Sequence, residues 1–264
     1  MSTPEDGIII EFNSSQDSGI NDTLCQSCSR TFKIIFGLLK YKEFSLPLAF
    51  LLVQGILLPN FDDLHYVFLV ETVGMPKYEY DFLNSITYVA TLLFIILYNQ
   101  FFTRIQIWIM ILFSLLLILI MTLLMLANAT RMNTESWGMS DEVINAFIFF
   151  LGTNAVQVLA ASPITVLLTY LVPHNVEASV MALVSGAIVW SYEVGAKISA
   201  SIYCQIFDVD DDHMDNYPRV LTAKIPMIIL IMIVTPFIIP RNQKILQLAA
   251  RLRKKHQEKQ SLKR

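Results

Sequence analysis

Charged residues are scarce in this 264-residue sequence: Asp, Glu, Lys and Arg make up 16% of it, against about 25% in soluble domains. Hydrophobic residues account for 55%, and the mean hydropathy is +0.54. This balance excludes an ordinary soluble globular protein and predicts an integral membrane protein. The net charge of -3 is unevenly distributed, and we expect no nucleic-acid partner.

Cysteine is also rare, since the chain has only Cys25, Cys28 and Cys204. Three cysteines exclude a disulfide framework, and a lone CxxC without a second ligand pair is a weak zinc or redox signal. The four histidines are scattered, and the spans contain no nucleophile–base pair. We therefore expect no metal, no cofactor and no enzymatic activity.

Long apolar runs dominate the rest of the chain and predict an all-α membrane protein. We expect a polar cytoplasmic leader with a short amphipathic segment (1–43), a transmembrane bundle (44–240) and a basic cytoplasmic tail (241–264). The bundle is predicted to contain six transmembrane helices, at about 44–73, 80–102, 105–127, 143–171, 178–207 and 220–239.

The fifth predicted span carries Glu193 and Lys197 near its middle, four residues apart on one helical face. A charge at the bilayer centre costs about 2.5–3.5 kcal/mol on insertion scales, so this helix should face the bundle interior or a water-filled cavity. The pair is either a functional site or an internal ion pair that only supports packing. A stripe of small residues on the same helix predicts close approach of a neighbour, at Ala178, Ala182 and Gly186.

The first predicted span contains Pro59 one turn before Asp62 and Asp63, with His65 on the same helical face as Asp62. A proline at this place predicts a broken helix that opens backbone groups to a cavity. The alternative is that the helix ends near Pro59 and leaves the two carboxylates at an aqueous boundary.

The fourth predicted span carries amides, and Asn154 and Gln157 lie close to one face with Thr165. Intramembrane amides either bind neighbouring helices or line a substrate path. The third span has almost no polar atoms and is expected to face lipid.

Basic residues predict the orientation, because cytoplasmic loops are enriched in Lys and Arg. With both termini cytoplasmic, the inner side holds 14 of the 19 basic residues. The acidic loop 208–215 then lies outside, and we interpret it as solvated, because a calcium loop requires glycine where His213 stands. We expect the plasma membrane, with an intracellular membrane as the alternative. The basic residues on the outer side would be Lys77, Arg131, Arg219 and Lys224.

Two stretches resemble the folate–biopterin transporter family of the major facilitator superfamily. LPNFDDLHYVFL (58–69) is similar to the family's first helix of the C-terminal half. LVPHNVEASVMAL (171–183) resembles the signature Pro-x-x-x-Glu-(Ala/Gly)-(Ser/Thr)-x-x-Ala-Leu at the start of the penultimate helix. The residues that fit it are Pro173, Glu177, Ala178, Ser179, Ala182 and Leu183.

The resemblance covers about residues 40–240 and implies the six-helix C-terminal half of a twelve-span transporter of folate- or pterin-like anions. One half does not enclose a site alone, so we expect a second six-helix half or self-association within the lipid bilayer. The alternative is a non-transporting subunit or truncated paralogue that kept the fold. From the residues themselves, the candidates for substrate or proton binding are Asp62, Asp63, His65, Asn154, Gln157, Glu193 and Lys197.

Overall fold

The computed structural model describes residues 36–37, 39–40, 42–101, 105–171, 177–210 and 213–239. These residues contain helices and no strand. Six of the helices are long and apolar enough to cross a membrane, which confirms the predicted all-α six-span architecture. The spans are Phe44–Thr72, Lys77–Phe101, Ile107–Ala129, Asp141–Thr165, Ala178–Phe207 and Met214–Ile238.

Three of these spans are irregular. In the first span the helix Lys42–Leu57 ends, a second helix begins at Asp62, and its last turn is π-helical. The fourth span is interrupted at Gly152, and the fifth contains a π-helical turn in its middle. The bounds of the pieces are Lys42–Leu57, Asp62–Val67 and Phe68–Thr72; Asp141–Leu151 and Thr153–Leu171; Glu177–Val189, Trp190–Gly195 and Ala196–Phe207.

The third and sixth spans are continuous, and their helices are Ile107–Ala129 and Tyr217–Ile238. The third span packs against the fourth and the sixth and is among the more buried spans. The expectation that it faces mainly lipid is therefore wrong. A helix that is apolar on every side suits a protein core as well as lipid, so its composition did not distinguish the two. The most exposed span is the second, Lys77–Phe101.

Three apolar clusters form the core of the described residues: two large ones, one at each end of the bundle, and a smaller third one with Ala90, Phe94, Tyr98, Met110 and Leu159. The first cluster includes Leu51, Ile111, Ile164 and Ile228, and the second includes Phe61, Met125, Ile148 and Tyr217. The first span changes from one cluster to the other between Leu58 and Phe61, and the sixth changes between Leu221 and Ile228. The break in the first span therefore lies at the junction of the two large clusters, where polar residues of several spans meet.

Candidate functional site

The break in the first span is held by hydrogen bonds in place of helical ones. Asn60 Oδ1 accepts a hydrogen bond from the backbone N–H of Asp62 (2.9 Å), which starts the second helix. The backbone N–H of Asn60 donates to the carbonyl oxygen of Ala196 in the fifth span (3.1 Å). The predicted break is thus confirmed. The first helix ends at Leu57, near Pro59, and the second continues through the π-helical turn to Thr72; the alternative that the two carboxylates lie at an aqueous boundary stays a prediction.

An ion pair joins the break to the fifth span on the exposed side. Lys197 Nζ lies 3.2 Å from Asp63 Oδ2, and the two side chains are 52% and 82% exposed. The sequence predicted Glu193 as the partner of Lys197. Glu193 lies in the π-helical turn Trp190–Gly195, whose wider winding removes the register of an α-helix. Among the described residues, Lys197 forms its ion pair with Asp63 and none with Glu193.

Glu193 and Lys197 are both exposed on the surface of the described bundle. They therefore do not point into the interior of the described bundle, and the expected alternative, a water-filled cavity beside this helix, stays a prediction. The face that carries them also includes the exposed apolar side chains Val189, Val194 and Ile198. A mixed charged and apolar face of this kind requires a polar cavity or another helix bundle beside it.

Asp62 and His65 line a cavity of about 60 Å³ behind the break. Asp62 is half-buried and His65 is only 3% exposed. The cavity has room for a few water molecules and is too small for a molecule of folate size. Its lining combines polar groups of the first two spans with apolar groups of the third and fourth: Asp62, His65, Tyr80, Asn84, Thr87, Met121, Met125, Ile148, Phe149 and Gly152.

Buried polar side chains continue from His65 into three other spans. The Nδ1 of His65 shares a hydrogen bond with the hydroxyl of Tyr217 (3.1 Å), and Asn128 Nδ2 donates to Asn145 Oδ1 (2.9 Å). Asn145 is a polar neighbour of His65, yet His65 Nε2 and Asn145 Nδ2 have no direct partner among the described residues. Buried groups of this kind are usually bridged by water. Of these four residues, only His65 was predicted from the sequence as a candidate site residue.

Lys224 is a buried cation that the sequence analysis placed on the outer side, which is wrong. It lies inside the sixth span, is 5% exposed, and its Nζ is 5.4 Å from the centroid of the Phe61 ring. The available signal was its position within the predicted span 220–239, which is incompatible with an aqueous loop. Without Lys224, the inner excess of basic residues becomes larger.

The first and fifth spans approach each other closely beside this site. A Cβ added to Gly55 would lie 2.5 Å from the Cα of Ser191, and one added to Gly195 would lie 3.3 Å from the carbonyl carbon of Gly55. The stripe of small residues predicted on the fifth span (Ala178, Ala182 and Gly186) does not form this contact among the described residues. Its three members are exposed, and a Cβ on Gly186 meets nothing within 4 Å. Glycines in the first and fifth spans therefore allow the close contact there.

The fourth span contributes backbone to the wall of the cavity. The side chain of Asn154 lies outside the described part of the chain, and Gln157 is half-buried without lining the cavity. Thr87 Oγ1 donates to the carbonyl oxygen of Phe149 (2.9 Å), and a Cβ on Gly152 would lie 2.6 Å from the Thr87 methyl. The interruption at Gly152 thus brings the second span against the fourth at the cavity wall.

Two other sequence motifs contain candidate metal ligands. Cys25 and Cys28 are outside the described residues. In the loop after the fifth span, Asp208, Asp210 and His213 are exposed and their ligand atoms lie within 4.8 Å of one another. An exposed acidic group of this kind does not by itself define a metal site.

The site therefore has two parts on either side of the break. The cavity part contains Asp62 and His65, and the open part contains Asp63, Glu193 and Lys197. In a comparison with known families, the BT1 family model matches residues 15–260, nearly the whole chain. Comparisons with curated proteins and with solved structures gave no significant match.

Proposed function

Because this chain belongs to the BT1 family of folate–biopterin transporters, we propose that it moves folate- or pterin-like anions by proton-coupled alternating access. At the coarser level it is a multi-pass membrane protein and a transporter of the BT1 type. The single observation that best supports the finer proposal is the two-part polar site at the break of the first span. In transporters, discontinuous helices near the midplane commonly form the substrate and ion sites.

The two parts suit different tasks. The cavity at Asp62 and His65 has the size of a few waters, which suits protons rather than the organic substrate. On the open part, Lys197 presents an exposed ammonium, the charge that attracts a substrate carboxylate. We therefore assign proton uptake to the Asp62 side and substrate contact to the Lys197 side, with Glu193 as a second acid on the open face.

Alternating access requires a second wall opposite this open face. We propose that a further six-helix bundle, from more of the same polypeptide or from a second copy, covers the fifth span. The exposed face with Val189, Glu193 and Lys197 supports this arrangement. The same face also favours the second candidate function, a non-transporting membrane subunit that uses it to bind a larger complex.

Uptake by liposomes containing the purified chain tests the proposal. Labelled folate and labelled biopterin are supplied with an inward proton gradient, and native mass spectrometry in detergent reports the assembly. We expect uptake that depends on the gradient and is inhibited by unlabelled substrate. A folded preparation of doubled mass that neither binds nor takes up either compound would contradict transport and support the subunit function.

Replacing Lys197 separates substrate contact from folding. Exposed ion pairs are worth about 0–1 kcal/mol, so Lys197→Met should change thermal stability in detergent very little. The KM for an anionic substrate should rise several-fold, and Lys197→Arg should retain most of the affinity. An unchanged KM in Lys197→Met would remove Lys197 from the proposed substrate site.

The orientation is tested by labelling single cysteines in a chain whose three native cysteines are replaced by serine. We propose that both termini are cytoplasmic and that the membrane is the plasma membrane. A cysteine at Asp215 should react with an impermeant maleimide on intact cells, and one at Lys259 should react only after permeabilisation. The reverse pattern would invert the topology.

A further inference from the structure

Lys224 lies at the junction of the two large apolar clusters, on the sixth span. Its side chain is 5% exposed and its ammonium is 5.4 Å from the ring centroid of Phe61. Phe61 immediately precedes Asp62, where the second helix of the first span begins. The Lys224 ammonium therefore lies beside the break in the first span on its buried side. Lys197 lies beside the same break on its exposed side.

An ammonium in this place needs a negative partner, because transfer of an isolated charge into an apolar interior is very costly. The ring of Phe61 compensates only part of that cost. Asp62 directly follows Phe61, whose ring lies 5.4 Å from the ammonium, and is an acid of this site whose charge acts on Lys224. Asp62 is half-buried and also lines the cavity that contains His65.

We propose that Lys224 is the buried counter-ion of Asp62 and sets the pH at which this carboxylate takes up a proton. This proposal rests on the proposed function, in which Asp62 takes up the proton. A nearby ammonium favours the ionised carboxylate and so delays its protonation as the pH falls. Lys224 is thus a positioning residue, which acts on the cavity through Asp62.

Other groups around Asp62 have weaker claims to this role. Lys197 is half exposed and pairs with Asp63, so solvent screens its charge. Tyr80 of the second span and Tyr217 of the sixth also feel the charge of Asp62, but as neutral phenols they do not neutralise it. His65 is bonded to Tyr217 rather than to the carboxylate. Among the described residues, Lys224 is the buried cation at this site.

The test measures protonation of Asp62 without any transport. Dicyclohexylcarbodiimide reacts with protonated carboxyl groups in apolar surroundings, and peptide mass spectrometry locates the adduct. Purified wild-type chain is labelled across a pH series, and Asp62→Asn identifies the peptide that carries the label. We expect Lys224→Met to move half-maximal labelling of Asp62 to a pH about one unit higher. Lys224→Arg should behave like the wild type, and Lys197→Met, the matched control, should shift the curve less.

The proposal is overturned if Lys224→Met labels with the wild-type pH dependence, or if Lys197→Met shifts the curve as much. If Lys224→Met does not fold, Asp62→Asn combined with Lys224→Met decides the question. Recovery of the fold in the double variant supports a counter-ion, since both charges are then removed. A double variant that also fails to fold shows that Lys224 acts by packing and overturns the proposal. If Lys224→Met shifts the labelling curve while the wild-type chain shows no uptake, proton-coupled transport alone is refuted and the counter-ion role stands.

Discussion

Gly55→Ala is expected to destabilise the protein by about 3 kcal/mol, at the upper end of ordinary overpacking effects. The added methyl would lie 2.5 Å from both the Cα and the carbonyl oxygen of Ser191. These are backbone atoms, so no side-chain rotation relieves the overlap and the two spans must separate. That separation also strains the hydrogen bond from Asn60 to Ala196. Thermal unfolding in detergent, followed by circular dichroism, measures the loss.

Gly186→Ala is the matched control for this substitution. Gly186 is also a helical glycine, but a Cβ there meets nothing within 4 Å. We expect stability to stay the same or to rise by about 0.5–1 kcal/mol, because alanine is favoured over glycine inside helices. Equal effects of the two variants would show that the spans do not meet at Gly55 as described.

Asp62→Asn is expected to reduce proton-driven uptake by about tenfold or more, the effect of losing about 1.4 kcal/mol of interaction free energy. The amide occupies nearly the same volume in the cavity but does not exchange a proton. Any remaining uptake should no longer respond to the proton gradient. Initial rates in liposomes, with and without the gradient, provide the measurement.

Asp63→Asn is the control, since it makes the same chemical change one residue along. Asp63 is 82% exposed and pairs with Lys197 on the open face, so gradient dependence should persist in this variant. If both variants lose the response equally, protons do not enter specifically through the cavity, and the division of the site into two parts is wrong.

Local features of the sequence predicted much of the fold. Each span is set by a run of about 20 apolar residues, and the break at Pro59 follows from the missing N–H of one residue. Asp62 and His65 were named because they share a helical face, and both line the cavity. These predictions needed no knowledge of which helices are neighbours.

The remaining features depend on contacts between distant parts of the chain. The pairing of Lys197 with Asp63 requires the fifth span to approach the first. Gly55 allows this approach, but a single glycine in the sequence does not indicate which helix will be its neighbour. The burial of Lys224 was not predicted, because Lys224 was assigned to the outer side together with the basic residues of the loops. This lysine lies within the helix of the sixth span. The interruption at Gly152 lies where Thr87 of the second span contacts the fourth span. One glycine among apolar residues does not predict an interruption of the helix.

The π-helical turn at Trp190–Gly195 has a consequence for how this span tolerates changes in length. A π turn amounts to one extra residue inserted into an α-helix. Deleting one residue there would give a regular helix whose two sides keep nearly the same relative orientation, because the wider turn is what accommodates the extra residue. Deleting one residue from the regular helix on either side of the turn would instead rotate everything beyond it by about 100°, which would change the placement of Lys197 relative to Asp63. In the fifth span, a one-codon deletion is therefore tolerated best at this turn, although hydropathy does not distinguish the turn from the regular helix beside it.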